Sequence, residues 1–251
     1  MIIAAVPTGP VEVPAVVARL AGDDEPVPVW RNTIGGLTFR LGDAAAARFV
    51  KWSPPGAPSL EREARRLAWA SPYIRVPRVL DAGVDGTGSW MLTAGIPGYS
   101  AVDPRFVSGD ASARVAARAI GSGLRELHDR LPVDECPYSW SVSHRIEQAR
   151  DNGIEVPVAL QTAPPVDHLV VCHGEACAPN TLLAHDGSFA AHVDLGSLGL
   201  ADRWADLAVA SWSLEWNFAG GAALGEELLA SYGIVPDEAR IRYYRALWAA
   251  T

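Results

Sequence analysis

The stretch "VVCHGEACAPNTLLAHDGSFAAHVDLGSLG", Val170–Gly199, arranges several polar side chains around two short apolar runs. The runs "NTLLAH" and "FAAHVDL" favour β-strands, and Asp186 and Gly187 between them suit a tight hairpin turn because both residues can take positive φ. Asn180 and Asp194 lie on the two predicted strands, so a hairpin would bring their oxygens onto one metal ion. The stretch therefore predicts a β-hairpin with metal-binding side chains.

The segments on both sides of this hairpin have a mostly helical pattern. The runs "ASARVAARAIGSGLRELHDRL" and "SVSHRIEQARD" precede it, and three further helices follow, the last of them "DEARIRYYRALWAA". The glycine- and proline-containing segment "AGIPGYS" is typical of a linker in front of these helices. We therefore expect residues 95–251 to form a larger, mainly helical lobe that carries one functional hairpin.

The first ninety-odd residues have a different pattern. The runs "VPVW", "LTFRL" and "ARFVKW" are short, rich in β-branched and aromatic residues, and separated by glycine and asparagine, so they predict strands. The segment "SLEREARRLAWAS" has helical periodicity with Ser59 as the expected N-cap, and "RVLDAG" and "SWMLT" follow as strands. We predict an α+β, two-lobed, protein-kinase-like fold in which residues 1–94 form a small β-rich lobe.

This order of elements agrees with the parts that phosphoryl transfer requires. The reaction needs positioning and charge neutralisation, so its parts are a glycine turn over the phosphates, a lysine for their oxygens, and oxygen ligands for Mg²⁺. Gly35 and Gly36 lie between the first two strands, Lys51 lies at the end of the third, and Glu63 lies on the helix that follows. Each part therefore has a candidate at the expected place in the chain.

The overall charge excludes one large class of function. A formal net charge of -8 argues against a nucleic-acid-binding protein and permits a cationic small-molecule partner. The three cysteines form no paired spacing, the N-terminal segment has no basic residue before its apolar run, and no run is long enough to span a bilayer. We therefore expect a cytoplasmic protein with no membrane partner.

Several of these motifs carry a family resemblance. The chain resembles the aminoglycoside phosphotransferases, most closely the 3'-type or kanamycin kinase branch. The resemblance covers most of the chain, and its motifs are "WRNTIGGLTFRL", "ARFVKW", "EREARRLAWA", "LHDRLPVDECPY", "VVCHGEACAPN", "HVDLGSLGLADRWADLAVASWS" and "YYRALW". The glycine turn alone is a weak signal, whereas the paired block "CHGEACAPN…VDLGSLGLADRWADLA" is highly specific.

The resemblance implies a Mg²⁺-dependent enzyme that moves the γ-phosphate of ATP or GTP to a hydroxyl of a small molecule. Lys51 would then contact the nucleotide phosphates with Glu63 as its ion-pair partner, while Asn180 and Asp194 would hold Mg²⁺. The segment that would line the purine pocket contains Thr93, Ala94 and Ile96.

The expected catalytic base departs from the family pattern. The family has aspartate where this chain has Glu175, and the two carboxyl groups differ little in basicity, so the change is one of geometry. A displacement of about 1 Å in a reacting group can cost roughly 10²-fold in rate. The alternative to an active enzyme is therefore a weakly active or inactive kinase-fold protein that still binds nucleotide.

The substrate-binding residues are fewer than the family resemblance implies. The segment "ARDNGIEVPVALQTAPPVDHL" offers Asp151 and Glu155 as ammonium partners, Glu215 is a third candidate, and "LWAAT" contains no carboxylate side chain. We expect a small, hydroxylated and cationic acceptor on resemblance alone.

Other residues of the same motifs have plainer interpretations. His173 is expected to brace the loop rather than act as a base, and Cys172 and Cys177 are expected to be buried thiols rather than metal ligands because no second cysteine pair follows. Trp212 and Trp216, four residues apart, could line a substrate cleft, although core packing is the simpler interpretation.

Overall fold

The computed structural model describes residues 6–43 and 47–251, so Met1–Ala5 of the N-terminal segment discussed above lie outside the described residues. The described chain divides into two compact units. Unit 1 contains residues up to 72 together with 76–97, and unit 2 contains 73–75 and 98–251. The assignment of nucleotide binding to residues 1–94 and of catalysis to 95–251 stays a prediction.

Unit 1 is built on a five-stranded antiparallel sheet. After helix α1 (Ala15–Ala21), the strands are β1 (Val27–Arg31), β2 (Leu37–Leu41), β3 (Arg48–Ser53), β4 (Val79–Asp85) and β5 (Gly88–Ala94), in the order β1-β2-β3-β5-β4. Leu37, Phe39 and Leu41 alternate inward along β2, as the period of two in a strand requires, and pack with Val17 and Val50. This core supports the strand that carries Lys51.

Helix α2 (Glu61–Ala70) follows β3 and carries Glu63. Leu60 occupies the N-cap position but already has helical dihedral angles, and Ser59 Oγ accepts a hydrogen bond from Glu61 N at 3.3 Å. Ser59 therefore makes the expected capping contact from one residue before the N-cap. Glu63 is buried on the inner face of the helix.

Unit 2 is mainly helical, as the sequence predicts. Its helices are α3 (Pro104–Val107), α4 (Asp110–Arg130), α5 (Val142–Asp151), α6 (Trp204–Asn217), α7 (Gly221–Tyr232) and α8 (Glu238–Ala250). Helix α6 is buried along most of its length and packs with α7 and α8. Within the residues that the structure describes, none of the helices is both long enough and apolar enough to span a membrane.

Two small antiparallel sheets complete unit 2. Strands β6 (Tyr99–Ser100), β8 (Thr181–Leu183) and β9 (Phe189–His192) form one, and β7 (Leu169–Cys172) pairs with β10 (Gly199–Asp202) in the other. Together they hold both ends of the segment from 173 to 198. The predicted hairpin is therefore present as β8 and β9.

The hairpin differs from its prediction in two respects. Gly187 has a φ of 83°, but the positive φ expected of Asp186 is absent, and the Asp186 carboxylate instead accepts hydrogen bonds from the backbone and hydroxyl of Ser188. Asn180 ends a short 3₁₀ turn (Ala178–Asn180) just before β8, and Asp194 lies two residues after β9. Both residues therefore lie just outside the strands, so the alternation of side chains along a strand does not set the direction of their side chains.

Candidate active site

The loop between β7 and β8, residues 173–180, is fixed by a buried carboxylate. Asp206 of α6 accepts hydrogen bonds from His173 N at 2.6 Å and Gly174 N at 2.9 Å, and His128 Nε2 donates to it at 3.0 Å. Burial alone would raise the pKa of Asp206, but the hydrogen bonds from His128 and from the backbone lower it below its ordinary value. The loop is thus held by an ionised side chain inside the core of unit 2.

His173 braces the same loop, as the sequence predicts. Its Nε2 donates to Val193 O at 3.0 Å, and its Nδ1 accepts from Glu175 N at 3.3 Å, which together define one neutral tautomer. Burial lowers the pKa of His173, although the charge of Asp206 opposes that shift. The ring therefore ties the Glu175 loop to the backbone beside Asp194.

Close backbone approach explains the glycine before Glu175. Gly174 has a φ of 87°, and a Cβ atom there would lie 2.3 Å from Ser197 O. A side chain would clash with the 195–198 segment, so only glycine allows the two loops to touch. This contact brings Ser197 next to Glu175.

Glu175 is held by that serine. Ser197 Oγ donates a hydrogen bond of 2.9 Å to Glu175 Oε1. Cys177 N donates to Glu175 O at 2.7 Å. Burial, followed by the negative charge of Glu175, raises the pKa of the Cys177 thiol to about 12. The Glu175 side chain, longer than aspartate by one methylene, therefore reaches a hydrogen-bond partner on the neighbouring loop.

The structure brings Asn180 and Asp194 together at the base of the hairpin. Val193 N donates to Asn180 O at 2.9 Å. Asn180 Nδ2 donates to Glu175 O at 2.9 Å, so the Oδ1 atom of the same amide points away from the Glu175 backbone. Within the described residues, Asp194 is the one non-glycine residue with a positive φ, 65°. Such a conformation is costly and concentrates at functional sites.

The donor chemistry of this pair fits Mg²⁺. An amide oxygen and a carboxylate are hard oxygen ligands, and Mg²⁺ is commonly held by one or two such groups together with phosphate oxygens. A second group, His128, Cys172 and Asp206, also has ligand atoms within 4.8 Å of one another. Those side chains are buried and already engaged in hydrogen bonds, with Cys172 Sγ donating to Asp202 O, so the group is structural.

In unit 1 the structure pairs Lys51 with Glu63. Lys51 lies inside β3, opposite Thr38 and Met91, rather than at the end of the strand as the sequence suggests. Its Nζ lies 2.7 and 2.9 Å from the two carboxylate oxygens of Glu63. Because Glu63 is buried, the pair is more than a surface ion pair and orients the lysine on the sheet.

The other candidates of unit 1 lie at sheet ends. Gly35 has a φ of 85° in the turn between β1 and β2, and Gly36 N donates to Asn32 Oδ1 at 2.6 Å. Thr93 is buried near the end of β5, Ala94 ends that strand, and half-buried Ile96 follows it. These positions keep their nucleotide-binding role as a prediction.

The three acidic candidates for acceptor binding have different surroundings. Glu215 on α6 forms an ion pair with Arg245 of α8, with 2.8 Å between Oε1 and Nη1. Asp151 is exposed at the end of α5, and exposed Glu155 lines a cavity of about 400 Å³ together with Arg150. Glu215 and Glu155 therefore each lie near an arginine.

Sequence reasoning missed three supporting residues. They are Ser197, which holds Glu175; Ser213, whose Oγ accepts from Ala178 N at 2.9 Å; and His128, which binds Asp206. Serine has no pattern that marks such a role, because the contact depends on how two distant loops meet. The motif "LHDRL" contains His128 but does not show which carboxylate it faces.

Comparison with known proteins identifies the family of the chain. The model of the phosphotransferase enzyme family matches residues 32–153 and 155–244. The chain is 32% identical over 241 residues to the streptomycin 3''-kinase of Streptomyces griseus, covering 84% of this chain and 86% of that protein. It is 33% identical over 222 residues to an aminoglycoside 3'-phosphotransferase of Streptomyces fradiae, covering 75% of this chain and 78% of that protein.

A solved structure extends the similarity to the fold. The aminoglycoside phosphotransferase APH(3'')-Id from Streptomyces rimosus, solved with ADP and streptomycin, superposes with a TM-score of 0.71 at 30% identity, covering 93% of this chain and 96% of that one. The predicted kinase-like α+β fold is confirmed by this likeness and by the β-rich and helical units described above. The chain belongs to the aminoglycoside phosphotransferase family.

Proposed function

We propose that this protein transfers the γ-phosphate of ATP or GTP to a hydroxyl group of a small molecule, with Glu175 as the catalytic base. The observation that supports this most is the arrangement of unit 2, where Asn180 binds the backbones of Glu175 and of Val193, the residue before the strained Asp194. The likeness to a structure solved with ADP and streptomycin supports a nucleotide donor and an aminoglycoside-type acceptor.

Glu175 would act on the acceptor hydroxyl. In this step the carboxylate accepts the hydroxyl proton as the acceptor oxygen bonds to the γ-phosphorus, the bond to the bridging oxygen breaks, and ADP or GDP leaves. The hydrogen bond from Ser197 Oγ to Oε1 orients the Glu175 carboxylate for this step. Because the carboxylate is held in one orientation, less of the transfer rate is lost through misplacement of the base.

Asn180 and Asp194 would hold Mg²⁺ through an amide and a carboxylate oxygen. When bound, the ion neutralises charge on the triphosphate. Asn180 has a second function in this proposal, since its Nδ2 fixes the backbone of Glu175. Replacement of Asn180 should therefore affect both the affinity for metal and the position of the base.

Lys51 would contact phosphate oxygens of the nucleotide. The two short contacts with buried Glu63 hold the ammonium group in place on the sheet. Gly35 and Gly36 would lie over the phosphates, and Thr93, Ala94 and Ile96 would line the purine site.

We also propose a cytoplasmic location, which the three free cysteines support.

A transfer screen tests the function. The wild-type protein would be incubated with Mg²⁺ and ATP or GTP, together with aminoglycosides, macrolides, sugars and choline-like alcohols, and phosphorylated products detected by mass spectrometry. We expect one acceptor class to be phosphorylated, and Glu175→Gln to reduce the rate about 10²- to 10⁴-fold.

The same screen tests the alternative, which the glutamate at the base position favours. Mg²⁺-dependent nucleotide binding without transfer to any compound would contradict the proposed activity. That result would support a nucleotide-binding protein of the same fold that has lost most of its turnover.

A further inference from the structure

Two serine hydroxyls contact the backbone of the 3₁₀ turn that precedes β8. Ser213 Oγ, on α6, accepts a hydrogen bond of 2.9 Å from Ala178 N, and Ser100 Oγ, at the end of β6, donates one of 3.0 Å to Pro179 O. The residue that ends this turn is Asn180, which we proposed above as a ligand of Mg²⁺. The two serines therefore hold the two residues directly before a metal-binding side chain.

The contact with Ser213 satisfies a donor that the turn itself does not. Asn180 N donates to Cys177 O at 2.9 Å, Thr181 N donates to Ala178 O, and the middle residue of the turn is a proline, which has no N–H. Ala178 N is the remaining donor of the turn, and Ala178 is fully buried. A buried N–H without an acceptor is costly, so the turn would shift if the serine hydroxyl were removed.

Ser213 is itself held in one position. It is fully buried, and Asn217, one turn later on α6, donates from Nδ2 to Ser213 O at 2.8 Å and to Ser213 Oγ at 3.2 Å. An amide nitrogen carries two hydrogens, so both contacts can form at once. The hydroxyl that accepts from Ala178 N therefore has a fixed place on a buried helix.

The Ser213 contact acts on the metal ligand rather than on the base. Asn180 is the last residue of the turn, so a shift of the turn moves its amide. Glu175 is held by two other contacts, one from Ser197 Oγ to its carboxylate and one from its own N–H to His173 Nδ1. Loss of the Ser213 hydroxyl should therefore weaken metal binding while the base keeps both of these contacts.

From these contacts, and resting on the phosphotransferase function proposed above, we propose that Ser213 is a positioning residue for Mg²⁺. Its hydroxyl, supported by Asn217, sets the position of the Asn180 amide and so the affinity of the site for the metal. Ser100 adds a second restraint on the same turn. This deepens the proposed function, because it separates residues that act on the metal from Ser197, which acts on the base.

Metal-dependent nucleotide binding tests this proposal without any turnover. A non-hydrolysable ATP analogue would be titrated calorimetrically into the full chain, once with Mg²⁺ and once with EDTA. The ratio of the Kd in EDTA to the Kd with Mg²⁺ measures how much the metal contributes to nucleotide binding. Replacing a residue that orients a metal ligand typically lowers metal affinity about 10- to 100-fold. We expect Ser213→Ala to lower this ratio about tenfold and to leave the Kd in EDTA at its wild-type value.

Three further variants calibrate the ratio. Asn180→Ala removes the proposed ligand and should lower the ratio at least as much as Ser213→Ala. Ser100→Ala should lower it by a smaller factor, because the half-buried carbonyl that it contacts can accept from water instead. Ser211→Ala is the matched control, a buried serine of the same helix whose Oγ donates to Ala208 O and accepts from Arg245. It should leave the ratio unchanged.

Two results would overturn the positioning role of Ser213. One is a wild-type ratio in Ser213→Ala while Asn180→Ala lowers it. The other is an equal loss of affinity with Mg²⁺ and with EDTA, which would show a general structural role. If Ser213→Ala does not fold by circular dichroism, Ser100→Ala decides: a lowered ratio supports the proposal, and a wild-type ratio overturns it.

The two proposals fail in different ways. A ratio that depends on Ser213, without phosphate transfer to any acceptor, would contradict the proposed function and leave the positioning role intact. Phosphate transfer by a protein whose ratio is the same in wild type and Ser213→Ala would contradict the positioning role and leave the function intact.

Discussion

At the scale of single residues, the Glu175–Ser197 hydrogen bond gives the glutamate a defined geometry. Aspartate at position 175 would end one methylene short of Ser197 Oγ, which now lies 2.9 Å from the carboxylate. The geometry of the loop therefore suits glutamate. Replacing Glu175 by the aspartate that is typical of the family would not raise the transfer rate without further changes.

We predict that Glu175→Asp lowers kcat roughly 10- to 100-fold because the shorter carboxylate is displaced by about 1 Å. Ser197→Ala should lower kcat by roughly tenfold in the Glu175 protein but have little further effect in the Glu175→Asp background. Steady-state kinetics of the four proteins measures this coupling.

Ser188→Ala is the matched control for the serine substitution. Ser188 also donates its hydroxyl to a carboxylate, that of Asp186, but in the exposed hairpin turn. It should leave kcat unchanged. Additive effects of Glu175→Asp and Ser197→Ala would show that the serine does not act through the glutamate.

At the scale of secondary-structure elements, helix α6 organises unit 2. It supplies Asp206 to the loop after β7 and Ser213 to the 3₁₀ turn. Because both contacts come from one helix, α6 holds the loop from 173 to 180 near each of its ends.

Asp206→Asn should lower the free energy of unfolding by roughly 3 kcal/mol, because a buried carboxylate bound by two backbone amides and His128 loses its charge and one acceptor. Urea unfolding followed by circular dichroism measures the change. Asp129→Asn removes an exposed ion pair with Arg125 and should cost less than about 1 kcal/mol. A similar small loss for both variants would show that the Asp206 contacts contribute little.

The sequence predicted the type and order of most elements but not their contacts. The spacing of the apolar residues predicts the strands of unit 1 and the helices of unit 2, because in both kinds of element one buried face sets that spacing. The two departures at the hairpin, Asp186 and the flanking positions of Asn180 and Asp194, arise from local hydrogen bonds. The support of Glu175 by Ser197 depends on two loops more than twenty residues apart, which no local pattern reveals.

At the scale of the whole molecule, each unit has its own apolar core, and unit 2 also buries uncharged histidines. Burial lowers the pKa of His192 from 6.5 to about 3. The unfolded chain therefore binds a proton at this side chain near pH 6.5, whereas the folded chain does so only near pH 3. Stability from this source is present above pH 6.5 and is lost as the pH falls.

We predict that the metal-free protein loses about 2 kcal/mol of unfolding free energy through His192 between pH 7 and pH 5. His192→Phe removes this proton binding, so its unfolding free energy should fall less over the same range. Urea unfolding at pH 7 and pH 5 gives the change in unfolding free energy for each protein. His185→Phe, which replaces an exposed histidine, is the matched control. An equal loss of unfolding free energy in His192→Phe and in wild type would contradict the assignment of this loss to His192.

We propose that Asp194, which follows the residue bound to Asn180 O, is part of a working phosphoryl-transfer site. The most direct test is the rate of transfer from radiolabelled ATP to the best acceptor of the screen, in wild type and in Asp194→Asn. Asparagine tolerates positive φ, so this variant keeps the backbone and removes only the charge. We predict that Asp194→Asn is slower by roughly 10²-fold or more with an unchanged unfolding curve. Equal rates in the two proteins would contradict the account.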